Sequence, residues 1–482
     1  MLYSSKYTFT VSSWGEQEKD CIVNIFKESK IYYKIEHSFL NPLEMKLQLI
    51  ADKQTIEMIE LKGLKYLSQI TKIENFIKVS SPIDETLLVD QSFFIVDECA
   101  FSLIYKSTIL EKPLSEAVKM LHSNKIGLVK NINGYYLCAN STKSQSIKKV
   151  KNILQKECQT LPLLVKNIIT AEKFLSLSKK EKELINSNIK PYIKAKRRNI
   201  HRLEKVKNIP LQSISHTNIY EVKLPKNSLE EYIVTNTNLP LIFQQVHNYQ
   251  DLYDKVDFIL EFEKDFFDFE DSVMQIIYGK PQVIKAGFGL YPSVKEKLLS
   301  TDCKYPLPYH HIKNSNFTQA ILCEASSDEL KVLLFENDTL KLLYKLDKSP
   351  KKYFDEISDK VCADFSKLSQ QYCDNVYEVC HEKSYDFSIV KSIITIDTSK
   401  DISKNEICST LINTFRDIVQ EIYHDKELPF VLCGELFENK NLTENIIEYF
   451  DDNDIKYHIS SEIPINESAV DFEKTLDFYP EK

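Results

Sequence analysis

The sequence predicts a multidomain chain in which an α+β unit of ferredoxin-like order is followed by two α/β units. Three observations predict it: a β-α-β-β-α-β order in the first eighty residues, a long mixture of strands and helices after them, and strand–helix alternation in the last third. The 482 residues provide for several cores, and 43% hydrophobic with 27% charged residues is a globular composition.

In the first block, Tyr7 to Ser13 alternates as a strand, and Glu16 to Lys30 places Cys21, Ile22, Ile25 and Phe26 at helical spacing. Ile31 to Phe39 and Glu44 to Ala51 read as strands parted by the Asn41-Pro42 turn. Thr55 to Gln69 reads as a helix and Ile73 to Val79 as the closing strand, with a linker over Ser80 to Glu85. This first unit is taken as 1–81.

The second unit, 93–316, is read as helix at Ser115 to Asn124, strands at Ile126 to Lys130 and Tyr135 to Ala139, then helix at Ser146 to Glu157. An apolar strand, Leu161 to Lys166, precedes a helix over Ser178 to Asn186, which Ser178 and Glu181 open as a capping box. The basic run Lys194 to Lys207 follows. Further strands are expected at Tyr232 to Thr235, Phe258 to Phe262, Val273 to Tyr278 and Gln282 to Ala286.

The third unit, 317–482, opens with strands at Gln319 to Ala325 and Lys331 to Glu336, then a long helix from Lys351 to Cys373. A strand at Ser392 to Asp397, a helix at Glu406 to Tyr423, a strand at Pro429 to Cys433, a helix at Asn441 to Asp451 and a strand near Tyr457 complete it. This alternation predicts a parallel-sheet α/β unit.

A net charge of −8 gives no general attraction to a nucleic-acid backbone, so nucleic acid is not an expected partner. No apolar run approaches the roughly eighteen residues of a membrane span, and Met1 to Thr10 lacks a signal-peptide pattern. A cytoplasmic protein without a membrane partner is expected. Eleven cysteines form no C-x-x-C pair, so no zinc or other metal site is expected, and the thiols read as reduced and mostly buried. Only eight glycines occur, far below the usual share of about 7%, which leaves few places for a backbone loop to cradle phosphate.

Several segments resemble one known family. Val129-Lys130-Asn131-Ile132-Asn133-Gly134-Tyr135-Tyr136-Leu137 is similar to the V-K-G-I-G-G-F-H-L run of the YrdC-like domain in HypF-type carbamoyltransferases of hydrogenase maturation. Leu224-Pro225 and Leu229 resemble its L-P-Y-T-P-L turn, Thr235-Asn236-Thr237-Asn238 its T-S-G-N, and Glu270-Asp271-Ser272-Val273 its D-D-S-V. Gly279-Lys280-Pro281, Ile284-Lys285 and Gly289 to Pro292 follow in the family's order. Leu432 to Asn439 resembles the S-G-G-V-F-Q-N of its actin-like carbamoyltransferase domain, and Pro464-Ile465-Asn466-Glu467 its P-P-N-D. The third unit is shorter than the family's, and the first fits its acylphosphatase-like domain by position.

The resemblance implies carbamoyl transfer from carbamoyl phosphate with ATP, through a carbamoyl-adenylate, to a hydrogenase-maturation partner protein. It implies a nucleotide site at Lys130, Lys156, Lys196, Arg197, Thr235, Asn238, Asp271, Ser272 and Lys285, with weak ATP binding. Its carbamoyltransferase candidates are Asn439, Asn466 and Glu467. Several substitutions point to eroded catalysis. Leu161, Cys158 and Asp268 stand where the family has cations, Asn236 and Thr237 crowd the S-G-N turn, and Ser468-Ala469 replaces a glycine pair. Ile412 replaces a histidine beside Asn413; His381 aligns alone, and His310-His311 lies outside the expected place. The loop Ser12 to Glu18 holds no arginine and one glycine, so acylphosphatase activity is not expected. Catalytic residues stay unassigned, and the alternatives are an inactive scaffold or regulator of maturation proteins and a YrdC-like nucleotide or RNA binder.

Overall fold

The computed structural model describes residues 2–12, 15, 32–37, 43–70, 72–82, 100–155, 160–198, 211–215, 219–263, 270–287, 315–326, 329–337, 339–350, 352, 353, 356, 383–400 and 407–461. Among them the strands form three sheets.

The first sheet holds β1 (Leu2–Val11), β2 (Tyr32–His37), β3 (Glu44–Asp52) and β4 (Ile73–Pro82) in the order β2-β3-β1-β4, all antiparallel. That is the order a ferredoxin-like β-α-β-β-α-β chain generates. Alternation puts Tyr7, Phe9 and Val11 of β1 on one face, packed on Leu47 and Leu49 of β3. Ile56 and Ile59 of helix α1 (Lys53–Ile59) cover them, and a π-turn (Glu60–Leu64) leads into α2 (Lys65–Ile70). β4 runs on into the expected linker as far as Pro82, which sits at the end of an edge strand where a missing N–H costs least. The expected helix Glu16 to Lys30 lies outside the described residues.

The second sheet gathers twelve described strands: β5 (Phe101–Tyr105), β6 (Thr108–Leu110), β7 (Gly127–Asn131), β8 (Gly134–Asn140), β9 (Leu163–Leu164), β10 (Leu175–Ser176), β11 (Tyr192–Arg197), β12 (Ile219–Lys223), β13 (Leu241–Val246), β14 (Phe258–Phe262), β15 (Val273–Ile277) and β16 (Lys280–Lys285). Their order is β16-β15-β11-β12-β9-β13-β8-β7-β14-β5-β6, with β10 paired to β11. Helices α3 (Pro113–His122), α4 (Ser144–Leu154) and α5 (Lys179–Ile185) accompany it, and α5 carries the expected capping box between Ser178 and Glu181. Gly127 is required where it stands: a Cβ there would lie 2.2 Å from the Phe258 ring on the neighbouring strand.

One expectation fails outright. Tyr232 to Thr235, read as a strand, lies inside helix α6 (Ser228–Thr237). Asn227 caps that helix by accepting from the Glu230 N–H at 3.1 Å, and Leu229, Ile233 and Val234 pack into the core at helical spacing. β-branched residues favoured strand locally, but the cap and the 3.6-residue period prevail.

The third sheet orders β17 (Gln319–Ala325), β18 (Leu330–Glu336), β19 (Thr339–Leu346), β20 (Asp386–Val390), β21 (Ile393–Asp397), β22 (Phe430–Cys433) and β23 (Tyr457–Ile459) as β20-β21-β19-β18-β17-β22-β23. It is mixed rather than parallel. β17 pairs parallel with β22 and β22 with β23, whereas β17, β18 and β19 form an antiparallel meander joined by short turns. Short turns permit only antiparallel pairing, since a parallel pair needs a crossover. The crossovers are α7 (Ile407–Lys426), preceding β22, and α8 (Lys440–Asp452), preceding β23. The long helix expected over Lys351 to Cys373 falls almost wholly outside the described residues.

Candidate functional site

One face of β11 and β12 gathers the ionisable groups. Side chains alternate along a strand, so Tyr192, Lys194 and Lys196 share a face, and Ile219, Glu221 and Lys223 share it on β12. Gln275, the register partner of Lys194 on β15, joins them. The face is closed at its Lys223 end and meets the third sheet's unit at its Lys196 end.

At the closed end Lys223 is wholly buried, and its Nζ donates to Asp271 Oδ2 at 2.9 Å and to Glu230 Oε1 at 3.0 Å. The rings of Tyr192, Phe243 and Tyr136 lie 5.0, 5.1 and 5.2 Å from the ammonium. Aromatic faces attract a cation that has been stripped of water, so the rings and carboxylates together hold the charge. Tyr136 Oη donates to Asp271 at 3.0 Å, Asn131 Nδ2 to Glu230 at 2.9 Å, and the Lys226 N–H to Glu230 at 2.8 Å. Burial opposes ionisation of Asp271, but Lys223 and Lys226 outweigh it and hold the carboxyl below its usual range. Burial also works against charged Lys223, yet Asp271 and Glu230 prevail and raise its pKa. Lys226, whose Nζ stands 4.0 Å from Asp271, is less well compensated, and burial brings it down to about 8.

At the other end the third unit supplies carboxylates. Lys194 pairs with Glu438 at 3.5 Å and Lys196 with Glu444, while Lys440 Nζ reaches back to Glu181 at 2.9 Å. Gln275 Nε2 donates to the Glu438 backbone oxygen at 3.4 Å. Gly434 makes this approach possible. Its φ of 106° turns the chain sharply after β22, and a Cβ there would stand 2.3 Å from the Ala325 carbonyl oxygen. The 3-10 turn Glu435–Glu438 and α8 then project Glu438, Lys440 and Glu444 onto the face. Between the units lies a cavity of about 200 Å³ lined by Thr160, Lys194, Ile219, Glu221, Glu438, Asn439 and Lys440.

Among the described residues, the sequence-derived candidates do not share one face of the sheet. Lys130 pairs in register with Tyr135, and its Nζ lies 6.0 Å from that ring; Tyr136, the next residue, points to the opposite face and meets Asp271. Lys130 therefore faces away from Asp271. It is also five sheet positions from Lys196, about 24 Å along the sheet at about 4.8 Å per strand. Arg197 alternates to the face opposite Lys196. Thr235 is exposed on α6, and Asn238 caps its C-terminus in the left-handed region with its N–H bonded to Val234. Asn236 and Thr237 turn their side chains back onto the helix carbonyls of Tyr232 and Ile233. Ser272 is buried and accepts from the Gly287 N–H at 3.1 Å, and Lys285 pairs with Glu270 at 2.5 Å. Asn439 is the N-cap of α8, where its Oδ1 accepts from the Leu442 N–H at 3.1 Å. Leu161 is a fully buried core residue, and Asn413 donates to the Lys383 carbonyl at 2.9 Å. Lys156, Cys158, Asp268, His310, His311, His381, Asn466, Glu467, Ser468 and Ala469 lie outside the described residues. No three His, Cys, Asp or Glu side chains converge as a metal site among the described residues.

Sequence reasoning missed Lys223, Lys226, Glu230, Glu438 and Glu444. Lys223 directly precedes the quoted Leu224-Pro225, and Ile219 to Lys223 alternates as a strand. An alternation reading there would have turned Lys223 toward the same side as Glu221. Its partners are 7 and 48 residues away, and no local pattern announces them.

Three sheets in this chain order, the third unit docked on the mixed second sheet, define the class: multidomain α/β proteins. The solved structures place the fold further. The chain superposes on full-length HypF in its phosphate- and nucleotide-bound form with a TM-score of 0.63 at 10% identity, covering 98% of this chain and 97% of that one. It matches the HypF of T. kodakarensis equally, with a TM-score of 0.63 at 10% identity, over 100% of this chain and 99% of the other. The fold is that of HypF along its whole length. No family model and no curated protein matches the sequence.

Proposed function

We propose that this chain is a HypF-like protein of [NiFe]-hydrogenase maturation that acts as a scaffold or regulator for a maturation partner, with carbamoyl-adenylate synthesis lost. The observation that carries this reading is the engagement of Lys194 and Lys196 by Glu438 and Glu444. Adenylate formation needs cations aimed at phosphate where charge develops. Here those on the shared face of β11 face the protein's own carboxylates, and Lys223 is sealed inside. Leucine at position 161, packed into the core, removes a further cation of the family pattern. ATP is accordingly a weak ligand in this reading.

The deciding measurement follows AMP release from labelled ATP, with and without carbamoyl phosphate and with the maturation partner present. No carbamoyl-phosphate-dependent AMP above background is expected. Each lost donor in such a site removes roughly a hundredfold or more in rate. Robust AMP release that disappears in Lys196→Ala would restore the enzyme and defeat the scaffold.

A further inference from the structure

We propose that β4 is a self-association edge, along which a second copy of this chain pairs antiparallel to form a two-fold dimer. The strand is the last in the order β2-β3-β1-β4 and pairs with β1 alone. Its other backbone edge has no hydrogen-bond partner among the described residues. Unpaired groups along an extended backbone are a template for another strand, and folded proteins usually blunt them by shortness, charge, proline or a bulge. Outer strands of the other two sheets show these devices. β6 and β23 are three residues long, and β16 carries Lys280, Pro281 and Lys285. β4 is ten residues long, with its proline at the far end. Its bulge, marked by a register shift and by Asn75 at a φ of 52°, lies near the start. Phe76 to Ser81 runs between the two unblunted.

The side chains decide which strand fits. Lys78 and Ser80 are the register partners of Tyr7 and Ser5, both buried, so Ile77 and Val79 point to the face away from the core, where each is 60% exposed. Lys78, the one charged residue between Asn75 and Pro82, is already paired with Glu60. An antiparallel copy centred on Val79 sets Val79 against its own counterpart, Ile77 against Ser81, Lys78 against Ser80 and Phe76 against Pro82. Ile77 of each copy then lies diagonal to Val79 of the other on one face, and no like charges stand opposite. Neighbouring registers are worse. Centring on Lys78 opposes two lysines, centring on Ile77 runs the pairing into the bulge at Asn75, and centring on Ser80 carries Ile77 past the strand end. A foreign strand would have to supply the same complement, whereas a second copy supplies it by the two-fold symmetry most oligomers use.

This assignment is independent of whether catalysis is retained, because its readout is oligomeric state. One strand edge from each chain is a small interface, so the dimer is weak and depends on concentration. Sedimentation of the full chain from about 1 μM to about 300 μM should show a monomer–dimer equilibrium. Amide exchange over 76–81 should slow as the dimer fills. Val79→Lys places like charges at the two-fold, and Ile77→Lys charges the diagonal neighbour, so each should weaken dimerisation by about tenfold or more. Leu61→Lys, at an exposed apolar side chain on the π-turn of the same unit, should leave it unchanged. Thermal melts establish that each variant is folded. A chain that stays monomeric across the whole range, a dimer that persists equally in folded Val79→Lys and Ile77→Lys, or a dimer equally weakened by Leu61→Lys would overturn the assignment.

Discussion

Lys223 Nζ lies 2.9 Å from Asp271 Oδ2, and the lysine side chain is wholly buried with 6% of the aspartate exposed. Lys223 ends β12 while Asp271 lies just ahead of β15, two strands away in the second sheet, and each favours the charged form of the other. Lys223→Met should therefore destabilise the chain by about 3–5 kcal/mol, because Asp271 and Glu230 are left buried without their cation. Adding Asp271→Asn should recover part of that loss in a denaturant titration. Equal stability of the single variant and the parent would mean that the pair is not formed.

Acid should act on the same group. The folded Asp271 carboxyl lies below its unfolded value, so its contribution is present above the ordinary aspartate range, near 3.9, and is lost as pH falls through its folded pKa. In Lys223→Met/Asp271→Asn this acid-side loss should shrink. Stability measured against pH for the two proteins checks it.

Lys226 destabilises the fold at neutral pH where Asp271 stabilises it, although the pH slope has the same sign. Its folded pKa of about 8 lies below the unfolded lysine value, so the unfolded chain binds the extra proton between them. Stability should rise as pH increases from about 8 toward the ordinary lysine range, near 10.4. Lys226→Met should flatten that rise and stabilise the protein at neutral pH by about 1–3 kcal/mol. A destabilised Lys226→Met at neutral pH would show that the amine is better compensated than its 4.0 Å distance from Asp271 indicates.

The junction offers a reciprocal test. Lys196→Glu places two carboxylates together, and Glu444→Lys in the same chain restores opposite charges. A coupling of about 1 kcal/mol is expected for this partly exposed pair, diminishing with added salt. Zero coupling in the double-mutant cycle would remove the pair from the docking of the third unit.

Asn439 separates two readings of one side chain. As the N-cap of α8 it should give about 1 kcal/mol of destabilisation on change to alanine. As a nucleotide contact it would instead lower ATP affinity at constant stability. Thermal unfolding and ATP titration of Asn439→Ala, measured together, distinguish these outcomes.

Much of the architecture was legible from residue order, because local chemistry writes it. The β-α-β-β-α-β order of the first block dictates the strand arrangement β2-β3-β1-β4, and Ser178 with Glu181 announces the capping box at α5. The motif run from Lys130 to Lys285 led to the HypF fold, whereas Tyr232 to Thr235 misled because β-branched residues were read without the cap at Asn227.

What the tertiary structure alone decided is the use made of each charge. Lys130, Lys196 and Lys285 look alike in a sequence, but one lies by a tyrosine ring, one is bound by Glu444, and one pairs with Glu270 at the surface. Lys196 and Glu444 are 248 residues apart, and Lys194 and Glu438 are 244 apart. Short-range spacing fixes helices and strands because their hydrogen bonds are local. Whether a cation serves a ligand or the fold depends on which carboxylate the folded chain brings within about 4 Å, and packing alone sets that.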